Sequence, residues 1–346
     1  MSIVDEVRAS CARVARNAKH VRIVEEAIGS YAATLPPEKI PAPGPAGDGV
    51  LEERAAYWLQ LNAINFGSGW FPTLHKPPGL SGFRTVEAGL TQHGPWPASS
   101  LVSIDTEEIA AVLGQDPNHE LMSLFAEHLR VLGEYVLRDY GGSFLALARA
   151  GNGSAVALAE RLASLSSFHD VSTYDGRPVA FFKRAQITAS DLHQQGLAPA
   201  CDLRRLTMFA DNLVPHVLRL DGVLEFEPSL VERIEHEQLI EHGSPEEVEI
   251  RACGLHAGEL LVTAHPTPRQ RPSTTRSGTV ALAHATKPHR ATAPAVPLTD
   301  AGYVNQTARV RGSQVQPTFR LASRLCIRGG LWMGGLWTVR HFPVVT

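Results

Sequence analysis

Cysteine is scarce in this chain, and the four present, Cys11, Cys201, Cys253 and Cys326, are scattered with no CxxC pair to chelate zinc or cycle redox equivalents. They read as buried thiols in a reducing cytosol. An excess of positive charge is also missing, since 32 Lys and Arg face 35 Asp and Glu for a formal net charge of -3. That balance argues against a protein that holds polymeric nucleic acid on a broad basic surface, but leaves room for a small anion in a local basic pocket. No apolar run approaches the length needed to span a bilayer. The opening SIVDEVRASCARVARNAKH mixes charges among its apolar positions and lacks a signal-peptide core and cleavage site, so the expectation is a cytoplasmic protein with no membrane partner.

Several catalytic signatures are absent too. Neither a G-x-S-x-G elbow nor a G-x-G-x-x-G turn after a strand occurs, which removes the usual support for serine hydrolases and dinucleotide enzymes. Fifteen histidines invite a metal site, but His236 and His242 in HEQLIEH are too far apart for the one-turn spacing of HExxH. No metal and no cofactor is expected.

What is present is mainly helical patterning. With 346 residues, a sizeable core is available. Val4, Val7, Cys11, Val14, Ala18 and Val21 recur at intervals of three and four, predicting an N-terminal helix that continues to about Tyr31. The Pro/Gly-rich stretch near 35–49 is a linker inside the domain. Pro117 suits a first helical turn, Leu121, Leu124, Phe125, Leu129 and Leu132 form a stripe, and Gly141 is a stop. Asp175-Gly176 between β-favouring residues predicts one small hairpin. Thr188 with Asp191, and Ser244 with Glu247, match capping-box spacing, and Ser244-Pro245 opens a helix through EEVEIRACGLHAGELL. Beyond about Thr263 the chain turns Pro-, Thr-, Ala- and Arg-rich without period.

Four segments carry candidate chemistry, each beside a plainer reading. In NAINFGSGWFP, a Gly-Ser-Gly loop flanked by Phe66, Trp70 and Phe71 brings backbone N–H groups to a ligand while aromatic faces stack on a planar base; the alternative is a tight turn with core aromatics. In MFADNLVPHVL, Pro215 predicts that a preceding helix ends near Asp211. That leaves a carboxylate among Phe209, Leu213 and Val214, suited to act as base or nucleophile, or else as a helix cap. Lys183 and Arg184 follow an apolar β run, where they face either a phosphate or solvent. Glu249, Arg251, His256 and Glu259 share a helix with apolar residues and read as a paired, buried structural network.

Taken together, NAINFGSGWFPTLHKPPG, YDGRPVAFFKRAQITASDLH, MFADNLVPHVLRLDGVL and EEVEIRACGLHAGELL resemble the signature segments of the queuosine salvage protein family, in that family's order. The resemblance implies a mainly α fold with a small β-hairpin, similar to helical DNA glycosylases. It also implies an N-glycosidase that releases queuine from queuosine 5'-monophosphate, a free nucleotide rather than polymeric nucleic acid. A carboxylate beneath C1' stabilises the oxocarbenium charge of such a reaction and orients water. Asp211 matches the family's acidic residue and is the candidate catalytic group. Asn65, Phe66, Ser68 and Trp70 fall in its loop motif as base contacts, and Lys183 and Arg184 match its KRAQI motif as phosphate contacts.

The resemblance assigns residues 1–262 to one helical domain. Residues 263–346 depart from the family pattern, lacking the continued helix and the acidic residue ahead of a Leu-Trp-Asn-Arg-Gly-like stretch. They read as an atypical tail, disordered or aberrant, such as a shifted reading frame would give. Two rivals stay open: a non-catalytic module that sequesters a modified nucleobase or nucleotide, and a glycosylase acting on a polymer, which the lack of net positive charge disfavours.

Overall fold

The computed structural model describes residues 1–36, 50–236 and 238–265. In chain order the elements are α1 (Ile3–Asn17), β1 (Val21–Ile23), α2 (Glu25–Thr34), α3 (Leu51–Ala63), α4 (Gly82–His93), α5 (Ala98–Leu101), α6 (Thr106–Leu113), α7 (Glu120–Tyr140), α8 (Phe144–Arg149) and α9 (Ala155–Ala163). They continue with β2 (Val171–Tyr174), β3 (Arg177–Ala180), α10 (Lys183–Gln194), α11 (Leu213–Leu220), β4 (Leu224–Phe226), α12 (Pro228–Glu235) and α13 (Pro245–Ala264). The expected mainly helical class with a small hairpin holds.

The predicted hairpin forms in register, Val171 opposite Ala180 and Tyr174 opposite Arg177, turning on Asp175 and Gly176 at φ 48° and 70°. A second two-stranded antiparallel sheet pairs β1 with β4 across some 200 positions, Val21 opposite Phe226. It corrects the expectation of one helix reaching Tyr31. That helix stops at Asn17 because Glu249 of α13 accepts the N–H groups of Lys19, His20 and Val21 at 2.9, 2.6 and 3.0 Å, drawing them out of helical pairing. The periodic Val21 belongs to the core, but from a strand.

Three further expectations are corrected locally. Helix α7 begins at Glu120, capped by the His119 side chain, so Pro117 lies in the preceding turn; Gly141 ends the helix at φ 60° as expected. Thr188 caps nothing: it sits inside α10, where its hydroxyl donates to the Arg184 carbonyl at 2.7 Å. Ser244, by contrast, does cap α13, accepting from the Glu247 N–H at 3.3 Å. Cys11 and Cys253 are buried as predicted, whereas Cys201 is exposed on the loop before residues 203–205. Cys326, most of the 35–49 linker and nearly all of the 263–346 tail lie outside the described residues.

One contiguous apolar cluster runs from Val4 of α1 to Leu261 of α13. α13 lies at its centre, packing against α1, α2, α11 and β1. It buries residues on every side, Val248, Ile250, Ala252 and Leu255 among them, which suits a helix enclosed by others rather than one lying on a surface. Gly254 lets α11 come close, since a Cβ there would stand 2.6 Å from Pro215 Cγ. The segment Phe209-Ala210-Asp211 just ahead of α11 is thereby brought close to the central helix. Among the described residues, no helix is long and apolar enough to cross a membrane.

Candidate active site

Arg251 of α13 is 1 % exposed and engaged on every side. One terminal nitrogen donates to both oxygens of Asp170, at 2.9 and 2.7 Å, and the other to Glu247 at 3.3 Å. Its Nε donates to the Ala210 carbonyl at 3.1 Å, and its plane lies 3.8 Å from the Phe181 ring centroid. Burial works against this charge, but Asp170 and Glu247 outweigh it and hold the guanidinium above its ordinary pKa. Burial likewise opposes the Asp170 carboxylate, and Arg251 overcomes it to leave that pKa lowered. Glu247 also pairs with His242 at 3.6 Å and raises that imidazole's pKa.

Asp170 passes this order to α10. Its Oδ2 accepts the Lys183 N–H at 3.1 Å, and its carbonyl accepts those of Phe181 and Phe182 at 2.9 and 3.3 Å. Phe182 is thereby held left-handed at φ 48°, a conformation that costs a non-glycine residue on the order of 1 kcal/mol. The turn converts strand into helix within two residues. Lys183 and Arg184 therefore open α10 rather than extend the strand.

The two basic residues then part. Arg184 turns inward, donating to the Ala63 carbonyl and to His128 Nδ1, both at 2.8 Å, with its guanidinium 4.6 Å from the Phe66 centroid. Lys183 Nζ makes no hydrogen bond or ion pair among the described residues. Burial lowers the pKa of this ammonium, while the charge of neighbouring Asp211 acts to raise it.

Asp211 is half-buried where the chain, running from the Ala210 carbonyl held by Arg251, enters α11. Residues 207–210 are not helical, so Asp211 ends no preceding helix, which corrects the expectation drawn from Pro215. That proline sits in the first turn of α11, where its missing N–H costs nothing. Asp211 Oδ1 accepts the N–H groups of Leu213 and Val214 at 3.1 and 3.0 Å. The capping reading is thus realised by one oxygen. Oδ2 has no hydrogen-bond partner among the described residues, so capping and chemistry are compatible in one side chain.

The aromatic loop docks between α3 and α7. Gly67 takes φ 87°, which favours glycine, and an added Cβ would have to displace the Leu121 side chain, whose Cδ1 would stand 2.4 Å away. Phe66 packs edge-on against Phe125 at 5.2 Å and tilted on His128 at 4.5 Å. Trp70 Nε1 donates to Glu120 at 3.1 Å. Asn65 donates to Asn62 Oδ1 at 3.3 Å, and Asn62 in turn donates to Asp191 at 2.9 Å. Ser68 is half-buried and starts the 3-10 turn Ser68–Thr73.

Two groups emerge. Lys183 lies beside Asp211, and Arg184 joins α10 to Phe66; the hydrogen bonds of Asn65 and Trp70 among the described residues go to Asn62 and Glu120, not to Asp211. Asp170 and His128 were not singled out from sequence, and Glu247 was named only as a capping partner of Ser244. Asp170 lies 81 positions from its arginine, and only the rule that a buried arginine needs a carboxylate hinted at such a partner. Glu249 and Glu259 fit the structural reading of α13, binding the Lys19–Val21 backbone and Arg8 respectively. Among the described residues no group of three or more His, Cys, Asp or Glu is placed to hold a metal ion.

This arrangement falls within a match to the queuosine salvage protein family model, which covers residues 52–285. A queuosine 5'-phosphate N-glycosylase/hydrolase of Sphaerobacter thermophilus is 34% identical over 232 residues, covering 61% of this chain and 69% of that protein. The Dictyostelium discoideum protein of the same name is 34% identical over 220 residues, 61% of this chain and 66% of its own. The Bos taurus protein is 32% identical over 172 residues, 47% and 50%. The chain thus spans from half to about two thirds of the length of these relatives. Because the match takes in every segment from the aromatic loop to the arginine-bearing central helix, this chain belongs to the queuosine salvage protein family.

Proposed function

We propose that this chain hydrolyses the N-glycosidic bond of queuosine 5'-phosphate and releases queuine, as the names of its relatives describe for those proteins. The observation that carries the reading is Asp211 itself. Two backbone N–H groups fix one carboxyl oxygen, while the other oxygen and the ammonium of neighbouring Lys183 have no hydrogen-bond partner among the described residues.

In the reaction the bond between C1' and the base nitrogen breaks, its electron pair stays with the base, and water supplies the hydroxyl to C1'. One proton of the water ends on the departing base. The cost is the positive charge that develops on the sugar. A preoriented carboxylate lowers it, because its dipolar and charge interactions need no reorganisation at the moment of reaction. Asp211 Oδ2 fills that role and orients the water. Lys183 holds the 5'-phosphate and sets the ribose over Asp211. Asn65, Phe66, Ser68 and Trp70 line the base side. Arg184 donates to Ala63 and His128 through one terminal nitrogen and steadies Phe66, and its remaining donors serve the phosphate with Lys183. A cytoplasmic setting, where free nucleotides are salvaged, suits this chemistry.

The test is purified chain incubated with queuosine 5'-phosphate and with the nucleoside, with release of free base followed by mass spectrometry. Base release is expected, and Asp211→Asn is expected to lower it by about 10³-fold or more. The melting temperature should barely change, because Asn keeps the cap. Ligand-induced thermal stabilisation without any base release would instead establish a sequestering module.

A further inference from the structure

His128 lies on α7, outside every segment that suggested the family, and its ring is fixed in an unusual way. Arg184 donates to its Nδ1 at 2.8 Å, and a guanidinium has no lone pair to offer in return. Nδ1 must therefore be the acceptor, which excludes both the imidazolium and the Nδ1–H tautomer. The Ala63 carbonyl lies 3.3 Å from the same nitrogen, but an Nδ1–H directed at it would leave the shorter Arg184 contact with no lone pair to receive it. Burial and the Arg184 charge agree with this, pushing the imidazole down to about 4. The proton is thus on Nε2, the ring edge turned away from Arg184.

That N–H finds no acceptor among the described residues, yet the ring is only half-buried and lies 4.5 Å from Phe66, centroid to centroid, at 35°. A donor with its tautomer locked by a buried arginine, set against the aromatic loop, is preorganised for an acceptor that arrives from outside. The geometry points to His128 Nε2–H as a hydrogen-bond donor to a ring nitrogen or carbonyl acceptor of the bound base. Arg184 is the positioning residue that fixes its proton. This rests on the reading of the Phe66 loop as the base side of the site, and it makes His128 a determinant of which base is accepted. A base lacking the acceptor leaves the N–H unpaired and is rejected.

Nitrogen-15 NMR of histidine-labelled full-length chain at pH 7 reads the tautomer directly, and titration with free queuine reads the contact. The Nε2–H signal is expected without ligand and should move on adding queuine. His128→Ala should raise the Kd for queuine, and the KM for queuosine 5'-phosphate, by about tenfold with a smaller change in kcat, and His128→Gln, which restores an N–H, should recover part of the loss. Arg184→Lys should let His128 sample both tautomers. An Nδ1–H signal in the unmodified protein, or base release with KM unaltered in His128→Ala, overturns the role of His128 and leaves the hydrolase reading intact. Failure of the unmodified chain to bind queuine or release it overturns both.

Discussion

Two cations separated by Asp170 have opposite fates in this fold. Arg251 is buried among two carboxylates, a carbonyl and an aromatic face, which take four hydrogen bonds from its guanidinium. Lys183, whose own backbone N–H is held by the same Asp170, carries an ammonium with no hydrogen-bond partner among the described residues, next to Asp211. The contrast follows from the side chains. A planar fork with five donors suits a closed structural junction, while a compact charge on a flexible stem suits a group that arrives and leaves. One charge is balanced inside the frame, and the other stays partly desolvated beside Asp211.

The strongest way to break this comparison is Arg251→Met, which leaves Asp170 and Glu247 buried without a counter-charge. Unfolding in urea should show a loss of about 3–5 kcal/mol. A loss below about 1 kcal/mol would mean the two carboxylates need no partner, and the frame reading would fail.

Lys183→Met should behave in the opposite way. Stability should change by no more than about 1 kcal/mol, since the apolar stem is kept and a desolvated charge is removed. Base release from queuosine 5'-phosphate should fall on the order of 10²-fold in kcat/KM. If denaturation shows Lys183→Met to be as damaging as Arg251→Met, the two cations do the same work.

Asp191 sharpens the contrast from the anionic side. Burial raises this carboxyl to about 6, with Asn62 its hydrogen-bonding partner and pulling the other way. A folded pKa above the unfolded value means that the native state binds the proton more tightly, so this group's contribution falls as pH rises from about 4 to about 6 and is lowest above that. Asp191→Asn should therefore stabilise the protein by about 1–2 kcal/mol at pH 8, allowing for partial solvent screening. The gain should shrink towards zero near pH 4. Thermal melts at both pH values check it, and an equal gain at both would show that the charge is not what Asn replaces.

Legibility in the sequence followed the range of the interactions. The α7 stripe, the Asp175-Gly176 hairpin and the Ser244 cap were plain because each is decided within a few residues of chain. The Thr188 cap failed because the same hydroxyl could satisfy the Arg184 carbonyl one turn back, and the left-handed Phe182 had already started the helix at Lys183. Asp211 was visible as a cap or a catalytic group; the structure makes the cap with Oδ1 and gives Oδ2 no hydrogen-bond partner among the described residues.

By itself the sequence determined the helical class, the Ser244 cap, the Asp175-Gly176 turn and, through the order of four segments, the family to which the chain belongs. Only the tertiary structure decided which charges are paired. It ended the first helix by delivering Glu249 from 230 positions away. It separated Lys183 from Arg184, neighbours in the chain, and it brought Asp170 and His128 into the account. The reason is physical: hydrogen-bond geometry and burial depend on what lies across a contact, and for a buried arginine or a locked histidine that partner comes from a distant part of the chain.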